Sequence, residues 1–366
     1  MKLNDTKTFT LFAIRKNICL VIILFVTVIT VAMSQDDGVK ITPWYHNSAG
    51  AVSVTFDDAD MTQYLTAFPV LEKYHMKGTF SVVGEWVSDE PGYTAEPGFF
   101  EICRMGWTQL LELASQGHEM AAHGFYHIKY DKQLPVEELA GQMEQIRELI
   151  ESKTGQPVFT LFYPYSYASG NIPLAAKKAG YLFGRSGLDT LNPPSPPDMY
   201  LLASMAILNA STPDSTLFRQ WLSEANDNWL VLMYHHLFPQ GSKEMEILNA
   251  HEVINNYSVT PEVFERQMND LSATGYWVAT VSEIGRYITE RDNTEINVFR
   301  SKKKIGIYTL NNLDRNIYNI PLTLEIGLPW KKAAVKGSLD DGIYEVKNGR
   351  IFVDVVPEQE LIITKQ

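Results

Sequence analysis

Cysteine is nearly absent: the 366 residues contain two, Cys19 and Cys103. No disulfide framework can be built from one cysteine near the N-terminus and one in the body of the chain, so stability must come from a packed core. Positive charge is also scarce, with 31 Lys and Arg against 43 Asp and Glu. Residues 1–34 hold four of the basic residues and one of the acidic ones, which leaves 27 against 42, a net of −15, for the remainder. A surface that acidic disfavours nucleic acid and anionic membranes as partners, and strongly polyanionic glycans unless a cleft supplies local basic residues. Internal repeats and low-complexity tracts are missing. Long apolar runs are missing too, with one exception.

That exception is Ile18–Met33, sixteen residues preceded by Lys2, Lys7, Arg15 and Lys16 and followed by Ala32-Met33-Ser34 and the polar Gln35-Asp36-Asp37. Residues 1–34 therefore read as a secretory signal peptide, which makes the protein secreted or periplasmic with no stable membrane partner after cleavage. Left uncleaved, the segment would be a membrane anchor, but it is short of the roughly 20 apolar residues a span needs.

What is present from Ala51 onward is an alternation of short apolar runs with helix-like segments. Strands are expected at Ala51–Phe56, 78–83, 118–122, 158–163, 181–185, 201–207, Trp229–Tyr234 and 276–280. Helices are expected at 61–75, where Leu65, Phe68, Val70 and Leu71 would form the buried stripe, and at 108–116, 135–153, 172–179, 214–226 and 261–273. Seven or eight β-α units favour an α/β fold, a deformed parallel (β/α) barrel over 35–292. Helical periodicity fades beyond Asn293. Lys304–Leu310, 320–326, 342–346 and Arg350–Val355 alternate like antiparallel strands, with Asn348-Gly349 as a hairpin turn between the last two. A small all-β, sandwich-like accessory domain is expected over 293–366. Its one tryptophan, Trp330, favours packing on the barrel over glycan binding.

Polar residues at the C-terminal ends of barrel strands converge on one face. Asp57 and Asp58 end the first strand. An Asp pair there is read equally well as a helix N-cap, worth about 1 kcal/mol, or as a metal ligand beside a base. His123-Gly124-Phe125-Tyr126-His127 follows the strand at 118–122, and two imidazoles four residues apart share one face if the segment makes a helical turn. Two His and one carboxylate with open positions suit hydrolytic metal chemistry. His118, at the start of that strand, reads as structural. Trp229–Tyr234 ends in His235, a candidate general acid, with His236 turned into the next loop. Phe162-Tyr163-Pro164-Tyr165-Ser166 is a Pro-containing turn whose Tyr165 N–H can face a developing oxyanion.

In this order, Thr-Phe-Asp-Asp, His-x-x-x-His, a Tyr-Pro-Tyr turn and an apolar strand ending in His, the motifs resemble the polysaccharide deacetylases, the NodB-homology group or carbohydrate esterase family 4. The resemblance covers roughly residues 48–290. It implies a metal-dependent hydrolase that removes acetyl groups, N-acetyl before O-acetyl, from an acetylated glycan. Asp57 would be the catalytic base, His235 the acid, and Asp58, His123 and His127 the ligands of a divalent ion, expected to be zinc. Tyr165 and Pro164 would make the oxyanion and substrate-binding turn. Two departures stand out. The family's third motif opens on Arg and closes on Gly, where this chain has Phe162 and Ser166. Arg185, in Gly184-Arg185-Ser186-Gly187, is the candidate replacement for orienting the base. The Asp that tunes the acid histidine has only Asp189 as a candidate. The alternatives are a non-catalytic glycan-binding protein on the same scaffold, which would have no need of all five metal and acid/base residues, and an amidase of a small non-sugar ring.

Overall fold

A computed structural model of the protein describes residues 38–95, 101–208, 216–250 and 257–366. The expected signal peptide lies outside them. Among the described residues no helix is long and apolar enough to cross a membrane. The strands, in chain order, are β1 (Val39–Ile41), β2 (Ala51–Phe56), β3 (Gly78–Val82), β4 (Gly92–Ala95), β5 (Glu101–Arg104), β6 (Glu119–Ala122), β7 (Thr160–Phe162), β8 (Phe183–Arg185), β9 (Met205–Ala206), β10 (Trp229–Tyr234), β11 (Trp277–Val278), β12 (Glu295–Arg300), β13 (Lys304–Leu310), β14 (Leu322–Gly327), β15 (Lys332–Lys336), β16 (Gly342–Glu345), β17 (Arg350–Val355) and β18 (Glu360–Lys365).

Eight of these form one parallel sheet, ordered β8-β7-β6-β3-β2-β10-β9, with β11 paired to β2. The strands are buried on both faces: β2, β3 and β10 are buried at every position, as a parallel sheet covered by helices requires, although one face of β2 and β3 carries Ser53, Thr55, Thr79 and Ser81. The sheet curls until its ends meet. Leu202 N–H donates to Gly184 O (2.8 Å) and Ser186 N–H to Leu202 O (2.7 Å), so the segment that becomes β9 lies against β8. On its other side β9 pairs with β10, Met205 opposite Leu232. β3 joins β2 only from Val54 upward, and β11 fills the gap below at Ala51 and Val52. The result is a deformed parallel barrel. Phe162, Phe183, Leu202, Trp229 and Val231 cluster with Ile284 and Ile288 of the helix Val281–Asn293. A larger cluster, containing Val54, Phe56, Phe80, Leu161 and Leu232 with residues such as Leu110, Ile146 and Phe264, packs helices onto the sheet.

The helix expected over 61–75 forms in two pieces, a π-helical turn at Gln63–Ala67 and an α-helix at Phe68–Lys73. Pro69 has no N–H with which to close an ordinary turn onto residue 65, and a wider turn replaces it. Leu65 falls outside the buried stripe and is 65% exposed. The helix from 135 is as expected, Val136–Thr154, stopped by Gly155 in the left-handed region.

Beyond Asn293 the chain is all strand. A five-stranded antiparallel sheet runs β12-β13-β18-β15-β16, and a three-stranded one β1-β14-β17. The second sheet recruits β1 from ahead of the barrel, a pairing that the C-terminal sequence alone does not reveal. Asn348 and Gly349 adopt φ of 51° and 76°, the turn their sequence demands, but the hairpin stops after one bridge, Lys347 to Arg350. β16 continues beside β15 and β17 beside β14, so the turn joins two sheets.

His118 is structural, as its position implies. Its Nδ1 accepts the Gly78 N–H at 3.0 Å, so the proton sits on Nε2, which faces Glu72 Oε1 at 3.3 Å. Burial, with the Lys77 charge, lowers its pKa to about 4 against the opposing pull of Glu72. The unfolded chain binds a proton there near pH 6.5 and the folded one does not, so this contribution to stability is present above about 6.5 and is lost as pH falls toward 4. His118→Gln keeps an acceptor but does not titrate. Thermal unfolding followed from pH 7 to 4.5 should show the variant losing less stability than the parent, by on the order of 2 kcal/mol; equal losses would contradict the assignment.

Candidate active site

All the expected chemical residues reach one end of the barrel. A cavity of about 360 Å³ is lined by Asp57, Asp58, His123, His127, Tyr165, Ser166, Gly187, Asp189, His235, His236 and Tyr257, together with Ala206 and Met233. Asp57 follows β2, His123 follows β6, Tyr165 follows β7, Gly187 follows β8 and His235 follows β10. Several of these residues occupy a backbone region that side chains disfavour. Asp58 (φ 73°), His127 (47°), Tyr165 (56°), Ser166 (54°) and Asp189 (44°) are all left-handed. Such conformations cost on the order of 1 kcal/mol or more each and persist where surrounding contacts impose them.

Asp58 shows what the strain accomplishes. Strand alternation would send its side chain away from that of Asp57. The left-handed turn instead brings both carboxylates to the same imidazole: His123 Nε2 lies 3.4 Å from Asp58 Oδ1 and 3.6 Å from Asp57 Oδ2. Buried Arg104 supports the turn, with Nη1 donating to Asp58 O at 3.3 Å and its guanidinium over the Trp86 ring at 4.4 Å. Neither Arg104 nor Trp86 stood out in the sequence.

His123 and His127 converge, but no helical turn brings them together. Residues 123–127 form a loop in which Gly124 (φ 78°) and His127 reverse the chain. The ring centroids end 4.9 Å apart. His123 Nδ1 is 2.8 Å from Phe162 O; since a carbonyl only accepts, Nδ1 carries the proton and Nε2 is left with its lone pair. His127 Nε2 lies 3.6 Å from Asp58 Oδ1, and its ring sits between Trp86 and Tyr165, 4.8 Å from each. One ligand atom from each of Asp58, His123 and His127 falls within 4.8 Å of the others. Asp58 Oδ1 is buried with no hydrogen-bond partner. A buried acceptor without a donor, facing two imidazoles, fits a cation.

Asp57 is held by Arg185. Nη1 donates to Oδ1 and Nη2 to Oδ2, both at 2.7 Å, and Nη1 also reaches Thr55 Oγ1 at 3.2 Å. The guanidinium stacks on Phe162, 3.9 Å from the ring centroid. The aromatic ring at the place where the family pattern has Arg thus forms the platform for an Arg delivered by the next strand. Burial pushes the Asp57 carboxyl up, but Arg185, His123 and His235 together bring it below its usual value. Asp58 is likewise lowered, with His123, His127 and Arg104 overcoming burial.

His235 Nε2 lies 3.6 Å from Asp57 Oδ2. Burial outweighs the two aspartates and lowers its pKa to about 4, so the free site holds it neutral at pH 7. Its Nδ1 has no hydrogen-bond partner among the described residues, so Asp189, although it lines the cavity, does not supply the tuning contact expected of it. Gln63, from the π-helical turn, donates its amide to the main-chain carbonyls of Asp57 and, at 2.9 Å, His235, fixing the two strand ends relative to each other. His236 enters the loop after β10, as expected, but stays in the cavity. It is buried, pairs in parallel with Ser258, and its Nδ1 lies 2.7 Å from Asp60 Oδ2. The one sequence signal for this was a third acid, Asp60, two residues past Asp58.

Residues 45–184 match the family model described as polysaccharide deacetylase, which includes Asp57, Asp58, His123, His127 and Tyr165 but stops short of Arg185 and His235. Over this stretch the chain is similar to the polysaccharide deacetylase family. A curated relative, the putative polysaccharide deacetylase YxkH of Bacillus subtilis, is 27% identical over 137 residues, 37% of this chain and 44% of its own length. The aligned region thus spans less than half of that relative. Among solved structures, peptidoglycan deacetylase PdaC of Bacillus subtilis is 15% identical, with 69% of this chain and 95% of that one covered at a TM-score of 0.40. The Xyl-CE4 domain of a xylanase from the hindgut metagenome of Trinervitermes trinervoides is 17% identical, covering 64% and 89% at 0.38.

Replacing Arg185 with Ala leaves the Asp57 charge buried and unpaired, which costs about 3–5 kcal/mol. With Asp57 as the catalytic base, the expected outcome is a fall in kcat of roughly 100-fold or more, an unchanged zinc content, and an acid limb of the pH–rate profile displaced to higher pH because the Asp57 pKa rises. Unchanged turnover would rule out the orienting role.

Proposed function

We propose that the protein is a metal-dependent deacetylase acting on an acetylated polysaccharide or oligosaccharide, exported by residues 1–34. The observation that carries this reading is the adjacency, in one cavity, of a three-ligand set (Asp58, His123, His127) with an Arg-clamped carboxylate (Asp57) and a histidine (His235). A pure binder has no use for that combination. Two imidazoles and one carboxylate suit a divalent ion, with zinc the favoured one. When bound, the ion supplies Lewis-acid polarisation of the acetyl carbonyl and acidifies water.

The side chains do the rest. Asp57, ionised and fixed at both oxygens by Arg185, accepts the proton of the attacking water. The Tyr165 N–H, on its left-handed turn, donates to the oxyanion. His235 delivers a proton to the departing sugar nitrogen or oxygen. Because burial keeps its ring neutral in the free site, that proton must arrive during turnover, and Asp57 Oδ2, 3.6 Å from His235 Nε2, is the nearby source. An amine leaving group has to be protonated before it can depart, which favours N-acetyl over O-acetyl as the bond cleaved.

The test is acetate release from acetylated chito-oligosaccharides and acetylated xylan. Release should cease with a chelator and return on adding zinc. Asp58→Ala and His123→Gln should fall from about one bound zinc per chain toward none, whereas Asp57→Asn should keep its zinc and lose on the order of 100- to 10,000-fold in kcat. Acetate release indifferent to chelation would remove the metal from the mechanism; no release from any acetylated glycan would leave the glycan-binding alternative.

A further inference from the structure

One oriented imidazole in the cavity has no part in the reaction just described. Asp60 is buried, with its oxygens engaged: Oδ1 accepts from Thr62 N (2.7 Å) and Thr62 Oγ1 (2.6 Å), and Oδ2 faces His236 Nδ1 at 2.7 Å. A carboxylate accepts and does not donate, so Nδ1 carries a proton and Nε2 is the ring's remaining polar atom. The ring lies flat on Phe238, centroids 5.0 Å apart and planes 12° from parallel. Leu237 N–H donates to Thr62 Oγ1 at 3.0 Å and Gln63 Nε2 to His235 O at 2.9 Å, so the chain after β10 is tied to the chain after β2 on both sides of His236. Backbone bonds from His236 N to Tyr257 O and from Val259 N to His236 O bring up the segment bearing Tyr257. That tyrosine is 41% exposed and its ring stands 4.6 Å from that of His235.

Tautomer, ring plane and position of His236 are thus all fixed. Stability alone does not call for this, since well-packed apolar residues do as well as a buried polar or ionic pair or better. Nor is His236 among the ligand set of Asp58, His123 and His127. His236 lines the cavity next to the histidine that faces the leaving group, and Nε2 has no hydrogen-bond partner among the described residues. We propose that Asp60 and His236, with Tyr257 beside them, form a recognition subsite in which His236 Nε2 hydrogen-bonds a ring hydroxyl of the sugar bearing the acetyl group. Asp60 is a positioning residue in this arrangement and His236 the contact. The inference rests on the deacetylase reading and adds to it what selects a sugar over any other acetylated molecule. A site built to meet a hydroxyl discriminates strongly against an analogue lacking it.

The experiment is a cycle between enzyme and substrate. The parent, His236→Phe and Asp60→Asn are assayed on an acetylated chito-oligosaccharide or xylo-oligosaccharide, whichever the parent deacetylates, and on its monodeoxy analogues. His236→Phe keeps the stack on Phe238 and removes Nε2. For one hydroxyl position, deletion should lower kcat/KM of the parent about tenfold, chiefly through KM, and that of His236→Phe less than twofold, with Asp60→Asn between. A deoxy penalty equally large in the parent and in His236→Phe at every position would overturn the subsite, whatever the overall activity of the variant. If the parent releases no acetate from either sugar, the deacetylase reading itself fails, which is a separate result.

Discussion

The two parallel hydrogen bonds between Arg185 and Asp57 are the constraint around which the rest of the site is arranged. Both partners are buried, and either one without the other would be an uncompensated charge in a medium of low polarity. The pair therefore fixes where β2 and β8 end relative to each other, although these strands are not neighbours in the sheet order. It needs a flat surface beneath the guanidinium, which Phe162 at the end of the intervening β7 provides. It also favours the ionised form of Asp57, as the proposed base requires, while Asp58 turns through a left-handed residue toward the imidazoles. One carboxylate held by an arginine and the next left with an oxygen without a donor is how two adjacent aspartates come to differ.

Around that pair the barrel converts local strain into convergence. Most of the left-handed residues of the cavity sit just past the C-terminal end of a strand, where the chain must turn sharply so that side chains from distant elements face one point. Gln63 and Arg104 hold backbone carbonyls of the same turns, and neither contacts the proposed ligand atoms. The energetic burden is carried by the apolar interior beneath, where Phe162, Phe183, Trp229 and the helix Val281–Asn293 pack into one cluster.

Much of this was legible in the sequence because it depends on period and position. A β-branched run that stops at two acids, and an apolar run that stops at a histidine, announce strand ends, and strand ends on a parallel barrel share a face. Arg185 could be nominated only through the resemblance, as the arginine on the next strand able to replace the one absent at Phe162. The missed features depend on what no local pattern encodes. The His123–His127 loop is not helical because Gly124 and His127 both reverse the chain. β1 joins a sheet built almost 300 residues later, a pairing with no local signal. The Asn348-Gly349 turn was read correctly as a turn, but which strands flank it as partners is decided by competition between two sheets. His236 reads only as the start of the next loop, because its buried partner Asp60 is far away in the chain and leaves no local signal.

Asp58, His123 and His127 are proposed to enclose one divalent ion beside Asp57. A crystal of the zinc-loaded protein, with anomalous diffraction collected at the zinc edge, tests it directly. A single strong peak is expected about 2.0–2.2 Å from an Asp58 carboxylate oxygen and from Nε2 of both histidines, with Arg185 still on Asp57. A peak elsewhere, or none at this cluster in protein that carries zinc, would contradict it.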